Sequence, residues 1–248
     1  MKKKEIDFII PSYHSKVLTK CCVESFERNK GEFNFRYIIV ENAADDSYKD
    51  DISEISSKLL WINNKCKYTH PHASWANAEA IEIGLQHATS EYVFICHNDV
   101  AAVHPKWMNL LYNKTQEDYE MIGTRFDNTR IGALHQSGIL INRTLALKVP
   151  SVYPRIENGK VALDVGDSLT EYFRENDLRY FCFRNTHNKN VNVELQDPYE
   201  NVTYDRVVND NNEVIYMHLG RGSLKEGAAQ YQRRGAINDW VNFVEANI

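Results

Sequence analysis

The chain has 248 residues, 43% of them hydrophobic and 25% charged, which is the balance of a folded globule and excludes a disordered chain. Its 34 acidic residues outnumber 29 Lys and Arg, and a net charge of −5 argues against a protein built to grip nucleic-acid backbone. No apolar run approaches the ~20 residues that span a bilayer, and the basic start Met1-Lys2-Lys3-Lys4-Glu5 lacks a following apolar stretch of signal-peptide length. The expectation is a cytoplasmic protein with no integral membrane segment. Solubilising charge is the reading adopted for the lysines, and a weak peripheral contact with anionic lipid is the alternative.

The elements alternate. Phe8-Ile9-Ile10 reads as a first strand stopped by Pro11. A helix follows, with Val17, Leu18, Cys21, Cys22, Val23 and Phe26 at helical spacing, Ser15 as its cap and Gly31 at its end. Tyr37-Ile38-Ile39-Val40 is a second strand whose unbroken apolar run predicts burial on both faces. Ile52, Ile55 and Leu59 suggest a helix, Leu60-Trp61-Ile62 a short strand, and Ser74 to His87 an alanine-rich helix. Tyr92-Val93-Phe94-Ile95-Cys96 is the clearest strand. Right-handed crossovers between these units build a mostly parallel sheet flanked by helices, with ligands expected outside the strand C-termini.

Further along, Pro105 opens a short helix, Ser137 to Ile141 is a strand, Ser168 to Asn176 a helix, and Arg179 to Phe183 another strand. Residues 185–212, rich in Asn and Asp, read as loop. Val214 to Met217 is a late strand leading into His218, and a final helix carries Ile237, Trp240, Val241 and Val244. No repeat or linker divides the chain, so residues 1–248 are expected to form one domain, with a ligand-binding half over 1–110 and a second half over 111–248. The five cysteines (Cys21, Cys22, Cys66, Cys96 and Cys182) are odd in number and contain no CxxC pair, so they read as small buried hydrophobes.

Three polar turns stand at the strand ends: Pro11-Ser12-Tyr13-His14, Glu41-Asn42-Ala43-Ala44-Asp45-Asp46 and His97-Asn98-Asp99-Val100. A nucleoside diphosphate needs its charge met, commonly by a hard dication on oxygen ligands, and its base needs polar partners and a flat surface. Asp99 supplies such an oxygen, while Glu41 or Asn42 with Tyr13 meet the base. Read without further context, Asp99 is a solvated turn acid, Tyr13 a rim aromatic, and His70 and His72 around Pro71 a polar loop.

The order Ile9-Ile10-Pro11-Ser12-Tyr13, Ile38-Ile39-Val40-Glu41-Asn42, Ala76-Asn77 and Glu91 to Asp99 resembles family 2-like glycosyltransferases of the GT-A fold. The resemblance covers roughly the first 110 residues and continues as anchors at Ser137 to Arg143, Asp164-Val165-Gly166-Asp167-Ser168-Leu169 and His218. It implies a nucleotide-sugar donor bound by Pro11, Ser12, Tyr13, Glu41, Asn42, Asn77, His97 and Asn98, with UDP as the common nucleotide. It also implies a divalent metal, Mn²⁺ or Mg²⁺, on Asp99 and His218, and Asp167 as the catalytic base of an inverting transfer to a glycan or lipid-linked acceptor. Asp164 is the nearest substitute for that base, and helix capping is the structural alternative for Asp167. Arg221, in the glycine-flanked loop after His218, reads as a lid cation closing on the diphosphate. The family's Asp-x-Asp is here His97-Asn98-Asp99, so one acid of the pair is a histidine. Two other readings stand beside transfer: a non-catalytic nucleotide or glycan binder, and a sugar nucleotidyltransferase. The latter wants a Gly-rich basic loop that Pro11-Ser12-Tyr13-His14 lacks.

Overall fold

The computed structural model describes residues 4–68, 73–187, 193–220 and 236–248. The first half runs β1 (Glu5–Ser12), α1 (Lys16–Arg28), β2 (Asn34–Glu41), α2 (Lys49–Ile55), β3 (Leu59–Asn63), α3 (Ala73–His87), β4 (Tyr92–Ile95), β5 (Val100–Ala102) and α4 (Trp107–Thr115). Next come β6 (Met121–Gly123), β7 (Phe126–Asp127), β8 (Ala133–Leu134), β9 (Ile139–Asn142), α5 (Arg143–Ala146), β10 (Arg155–Glu157) and β11 (Lys160–Leu163). The chain ends with α6 (Asp167–Glu175), β12 (Tyr180–Cys182), β13 (Arg184–Asn185), β14 (Asp205–Val208), β15 (Val214–His218) and α7 (Ala236–Asn247).

A seven-stranded sheet has the order β12-β6-β9-β4-β1-β2-β3. Strands β1 to β4 are parallel neighbours, and only β9 runs against both of its partners. Both faces of β1 are covered. Ile6, Phe8 and Ile10 point into one core with Cys22, Val23 and Phe26 of α1 and Trp107 of α4, while Ile9 points into the other with Ala78, Ile81 and Leu85 of α3. This explains the absence of alternation in Phe8-Ile9-Ile10. Phe8 is packed by Phe35 and Phe26, at ring-centroid distances of 4.5 and 4.9 Å. Burying such a ring contributes about 1.5–3 kcal/mol. On the other face α3 lies so close that a Cβ on Gly84 would sit 2.4 Å from Ile9 Cγ2.

Strand β1 continues through Pro11 to Ser12, beyond the stop expected from the sequence. Ile9 O accepts from Cys96 N on the β4 side, and Ser12 O accepts from Asn42 N on the β2 side. Pro11 therefore turns its nitrogen toward β4, which has already ended at Ile95, and removes no ladder bond. Ser15 does stand at the start of α1, but its hydroxyl donates to Tyr13 O rather than capping the helix. The five cysteines are all free thiols, three of them buried.

A second, antiparallel sheet has the order β13-β14-β15-β5. Strand β14 falls inside the segment read from sequence as loop. Its register with β15 pairs Asp205 with His218, and the register of β15 with β5 pairs His218 with Val100. These pairings bring the C-terminal part of the chain onto the end of β4. No described helix is long and apolar enough to cross a membrane.

Candidate metal and nucleotide site

The turn after β4 and the end of β15 meet because β5 and β15 are paired. Leu219 N donates to Asp99 O at 2.9 Å, which locks the two ends together. Side chains follow the backbone. His218 Nε2 lies 3.4 Å from Asp99 Oδ1 and 3.4 Å from His97 Nδ1, and His97 Nδ1 lies 3.7 Å from Asp99 Oδ1. These three residues offer ligand atoms all within 4.8 Å of one another. Asp99 is 3% exposed and His218 4%. Isolated charges do not survive at such burial, so the cluster is either internally compensated or built around a cation.

Its electrostatics are divided. Burial works to lower the pKa of His218, but the carboxylates of Asp99 and Asp205 outweigh it and raise the pKa to about 9. Burial holds His97 neutral, with a pKa pushed down to about 4 despite the pull of Asp99. His135 is likewise pushed down by burial, then by Arg125. One imidazole thus offers a free lone pair as it stands, and the other releases a proton when a cation takes its place.

Behind the cluster lies a second group that the sequence reading did not single out. Asp205 Oδ2 is 3.6 Å from His218 Nδ1 and 3.4 Å from Arg125 Nη1, and Asp205 Oδ1 is 3.6 Å from His187 Nδ1. Arg125 Nη2 contacts His187 Nε2 at 2.8 Å. Burial works against the Asp205 carboxylate, yet His187 and His218 hold its pKa well below the ordinary range. One signal was readable: Asn209-Asp210-Asn211-Asn212 between Val207-Val208 and Val214-Ile215 is a hairpin turn, and that hairpin places Asp205 opposite His218.

The expected donor residues divide into two groups. Ser12, Glu41, Asn42 and Asn98 are buried and bonded among themselves and their neighbours. Ser12 Oγ contacts the Tyr48 hydroxyl at 2.7 Å and Thr19 Oγ1 at 3.1 Å, and Asn98 Nδ2 donates to Thr19 Oγ1 at 3.2 Å. The Glu41 carboxylate accepts from the His14 and Ala43 amides at 3.2 and 3.0 Å and from the Tyr48 hydroxyl. Asn42 donates to Ala76 O at 3.0 Å and accepts from Asn64 Nδ2 at 2.8 Å. This network joins the C-terminal ends of β1 and β2 to α3. Tyr13 stands outside it at 48% exposure, and Asn77 is half-buried on the first turns of α3 beside Ala76. Pro11 belongs to the end of β1. Arg221, with the loop beyond Gly220, and His70 and His72 lie outside the described residues.

Asp167 opens α6 at 3% exposure. Its Oδ2 accepts from Arg130 Nε at 2.6 Å and from the Asp164 amide at 2.8 Å. Burial raises its pKa, against the pull of Arg130. Asp164 is half-buried, accepts from the Val165 amide at 2.8 Å and makes no ion pair among the described residues. It is close enough to His97 to favour the charged imidazole. A groove of about 350 Å³ opens at the other end of the sheet, lined by Asp7, Arg36, Lys58 and Ser90 at the strand N-termini. Asp7 and Arg36 there are consumed by a bidentate pair at 2.8 and 2.7 Å, so the groove does not compete with the strand-end site.

The sequence model of "Glycosyl transferase family 2" matches residues 7–154, more than half of the chain. The chain belongs to glycosyl transferase family 2. No curated protein matches it by sequence. Among solved structures it is similar to the mannosyltransferase PcManGT from Pyrobaculum calidifontis in complex with GDP-Man and Mn²⁺, at 14% identity and a TM-score of 0.56, covering 73% of this chain and 55% of that one. It also resembles glucosyl-3-phosphoglycerate synthase from Mycobacterium tuberculosis, at 13% identity and a TM-score of 0.48, covering 72% and 69%. This family-2 chain thus spans about half the length of the mannosyltransferase, and the likeness establishes the GT-A fold expected from the sequence.

Proposed function

We propose that this family-2 protein transfers a glycosyl group from a nucleoside-diphosphate sugar, UDP-linked in the first instance, to a hydroxyl of a glycan or lipid-linked acceptor, with inversion at the anomeric carbon. The observation that carries the proposal is the buried meeting of Asp99 and His218 at the strand ends. The two supply an oxygen and a nitrogen to one point, a donor pair that suits a transition-metal dication such as Mn²⁺. When bound there, the dication neutralises charge on the diphosphate leaving group.

The protein's own residues do the rest. The Ser12–Tyr48–Glu41 and Asn42–Asn64 bonds tie down the ends of β1 and β2, so the strand ends are ordered before the donor arrives. Tyr13, exposed just beyond the end of β1, offers a face to the base. Asn77 completes the donor side from α3. The base role falls to the Asp164–Asp167 turn. Arg130 and the Asp164 amide occupy the carboxylate of Asp167, which positions the turn, while Asp164 makes no ion pair among the described residues and takes the acceptor proton as the hydroxyl oxygen attacks. The transition state resembles an oxocarbenium ion, so the nearby carboxylates also stabilise its positive charge.

The decisive experiment is a donor screen. Hydrolysis or transfer is measured across UDP-, GDP- and dTDP-sugars with Mn²⁺ or Mg²⁺ added. Turnover of one donor class, lost in Asp99→Ala, is the expected result. Metal-independent nucleotide binding with no turnover of any donor would replace the reading with that of a non-catalytic binder, which His97 in place of an acid favours.

A further inference from the structure

The histidine at position 97 alters the chemistry of the metal site in a way that the family assignment does not specify. We propose that His97 is the third protein ligand of a two-histidine, one-carboxylate centre, and that this donor set makes the protein select late first-row dications, Co²⁺ and Zn²⁺, over Mg²⁺, with Mn²⁺ between them. The inference deepens the proposed reading of the same site and rests on it for the diphosphate as the ligand that completes the centre.

Three observations carry it. First, the His97 ring is aimed into the cluster. Its Nδ1 faces His218 Nε2 and Asp99 Oδ1, while its Nε2 is buried with no hydrogen-bond partner, so its polar contacts run through Nδ1.

Second, without a metal the three ligand atoms already stand about one tetrahedral edge apart. Ligand atoms on bonds of ~2.1 Å stand about 3.4 Å apart at tetrahedral angles and about 3.0 Å apart at octahedral right angles. The separations of 3.4, 3.4 and 3.7 Å match the wider edge. Mg²⁺ demands the narrower one, so all three side chains would have to converge further for it.

Third, the donor set and its backing suit the same metals. Two imidazoles and one carboxylate favour ions high in the Irving–Williams order, and Mg²⁺ gains little from nitrogen. Asp205 stands behind His218 on the Nδ1 side, the arrangement that directs Nε2 to a metal and raises ligand basicity. One carboxylate against a dication leaves one positive charge uncompensated. That charge suits an incoming diphosphate oxygen, which completes the centre.

The test titrates metal-stripped protein with MgCl₂, MnCl₂, CoCl₂ and ZnCl₂ by calorimetry, and follows Co²⁺ by its visible absorption. Wild type is expected to bind Co²⁺ roughly a hundredfold more tightly than Mg²⁺. His97→Ala removes a direct ligand and is expected to lose at least the roughly 10–100-fold in Co²⁺ affinity that loss of an outer-shell partner costs, while Mg²⁺ binding changes little. His97→Asp, which restores the acid of the family pattern and whose folding is checked by its thermal midpoint, is expected to shrink the Co²⁺-to-Mg²⁺ ratio at least tenfold and to weaken the visible Co²⁺ bands. Equal Mg²⁺ and Co²⁺ affinities in wild type overturn the inference, and so do Co²⁺ affinity and spectrum unchanged in His97→Asp. Donor turnover is assayed separately. Metal selectivity through His97 without turnover of any donor keeps this inference and rejects the transferase reading, while turnover with a metal site indifferent to His97 does the reverse.

Discussion

Asp205→Asn is the perturbation that most cleanly separates the groups behind the metal site from those at it. Asparagine keeps the size of the side chain and one carbonyl oxygen but loses the charge facing His218 Nδ1, His187 Nδ1 and Arg125 Nη1, at 3.6, 3.6 and 3.4 Å. Removing such an outer partner of a ligating histidine commonly costs about 10–100-fold in metal affinity. The Asp205–His218 distance exceeds the ~2.7–3.2 Å of a good hydrogen bond, so the low end applies. The expected loss is about tenfold in Mn²⁺ affinity, or ~1.4 kcal/mol. Calorimetric titration of Mn²⁺ into wild type and Asp205→Asn measures it, with the thermal midpoint of the metal-free proteins as a control on folding. An unchanged Mn²⁺ affinity would refute the idea that Asp205 orients His218 for a cation. A lowered midpoint without a lowered affinity would leave Asp205 as a structural partner of Arg125.

Three further substitutions probe other parts of the structure. Asp164→Asn is expected to retain donor binding and lose transfer, whereas Asp167→Asn, which releases Arg130, is expected to lower both transfer and thermal stability; the reverse pattern, read from single-turnover transfer and thermal melts, would return the base role to Asp167. Asp7→Asn strips Arg36 of its partner and weakens acceptance from the Thr89 and Ser90 amides, at a cost of about 2–4 kcal/mol in denaturant unfolding at pH 7. Burial opposes the Asp7 charge, but Arg36 and the two amides depress its pKa below the usual 3.8, so its stabilising contribution is complete above about pH 4 and is lost as pH falls through the depressed value. The gap between wild type and Asp7→Asn should therefore narrow on acidification, and a constant gap down to acid unfolding would count against the ion pair. Gly84→Ala forces a Cβ into Ile9 Cγ2 and is expected to cost about 1–3 kcal/mol, with a stability equal to wild type showing that α3 can move off β1.

The parallel half of the fold was legible because its strands are buried on both faces and its helices carry apolar residues at helical spacing. Phe8-Ile9-Ile10, Tyr37 to Val40 and Tyr92 to Ile95 all lie in the seven-stranded sheet. Short strands such as Val100–Ala102 and Met121–Gly123 have no period to read, since three residues cannot show one. Strand β14 was hidden by its composition: Asp205 faces Arg125, His187 and His218 while Arg206 donates to the Val202 and Tyr204 carbonyls, so only Val207 and Val208 carry an apolar signal. Asp99 and His218 were legible as strand-end residues, and the pairing of β5 with β15 brings them together. His97 was legible as a position, but its nearness to His218 depends on a register between segments more than a hundred residues apart. Glu41 and Asn42 stand at and just beyond the end of β2, and their side chains are spent on Tyr48, Ala76 and Asn64, partners that strand-end logic does not reveal.

The account is tested most directly by titrating UDP into metal-stripped protein with and without Mn²⁺, in wild type and in Asp99→Ala. Affinity that appears only with Mn²⁺ in wild type and is absent from a folded Asp99→Ala is the predicted result. UDP binding of equal strength in all four titrations, or in none, would contradict a diphosphate held at the end of β4 through Asp99 and His218.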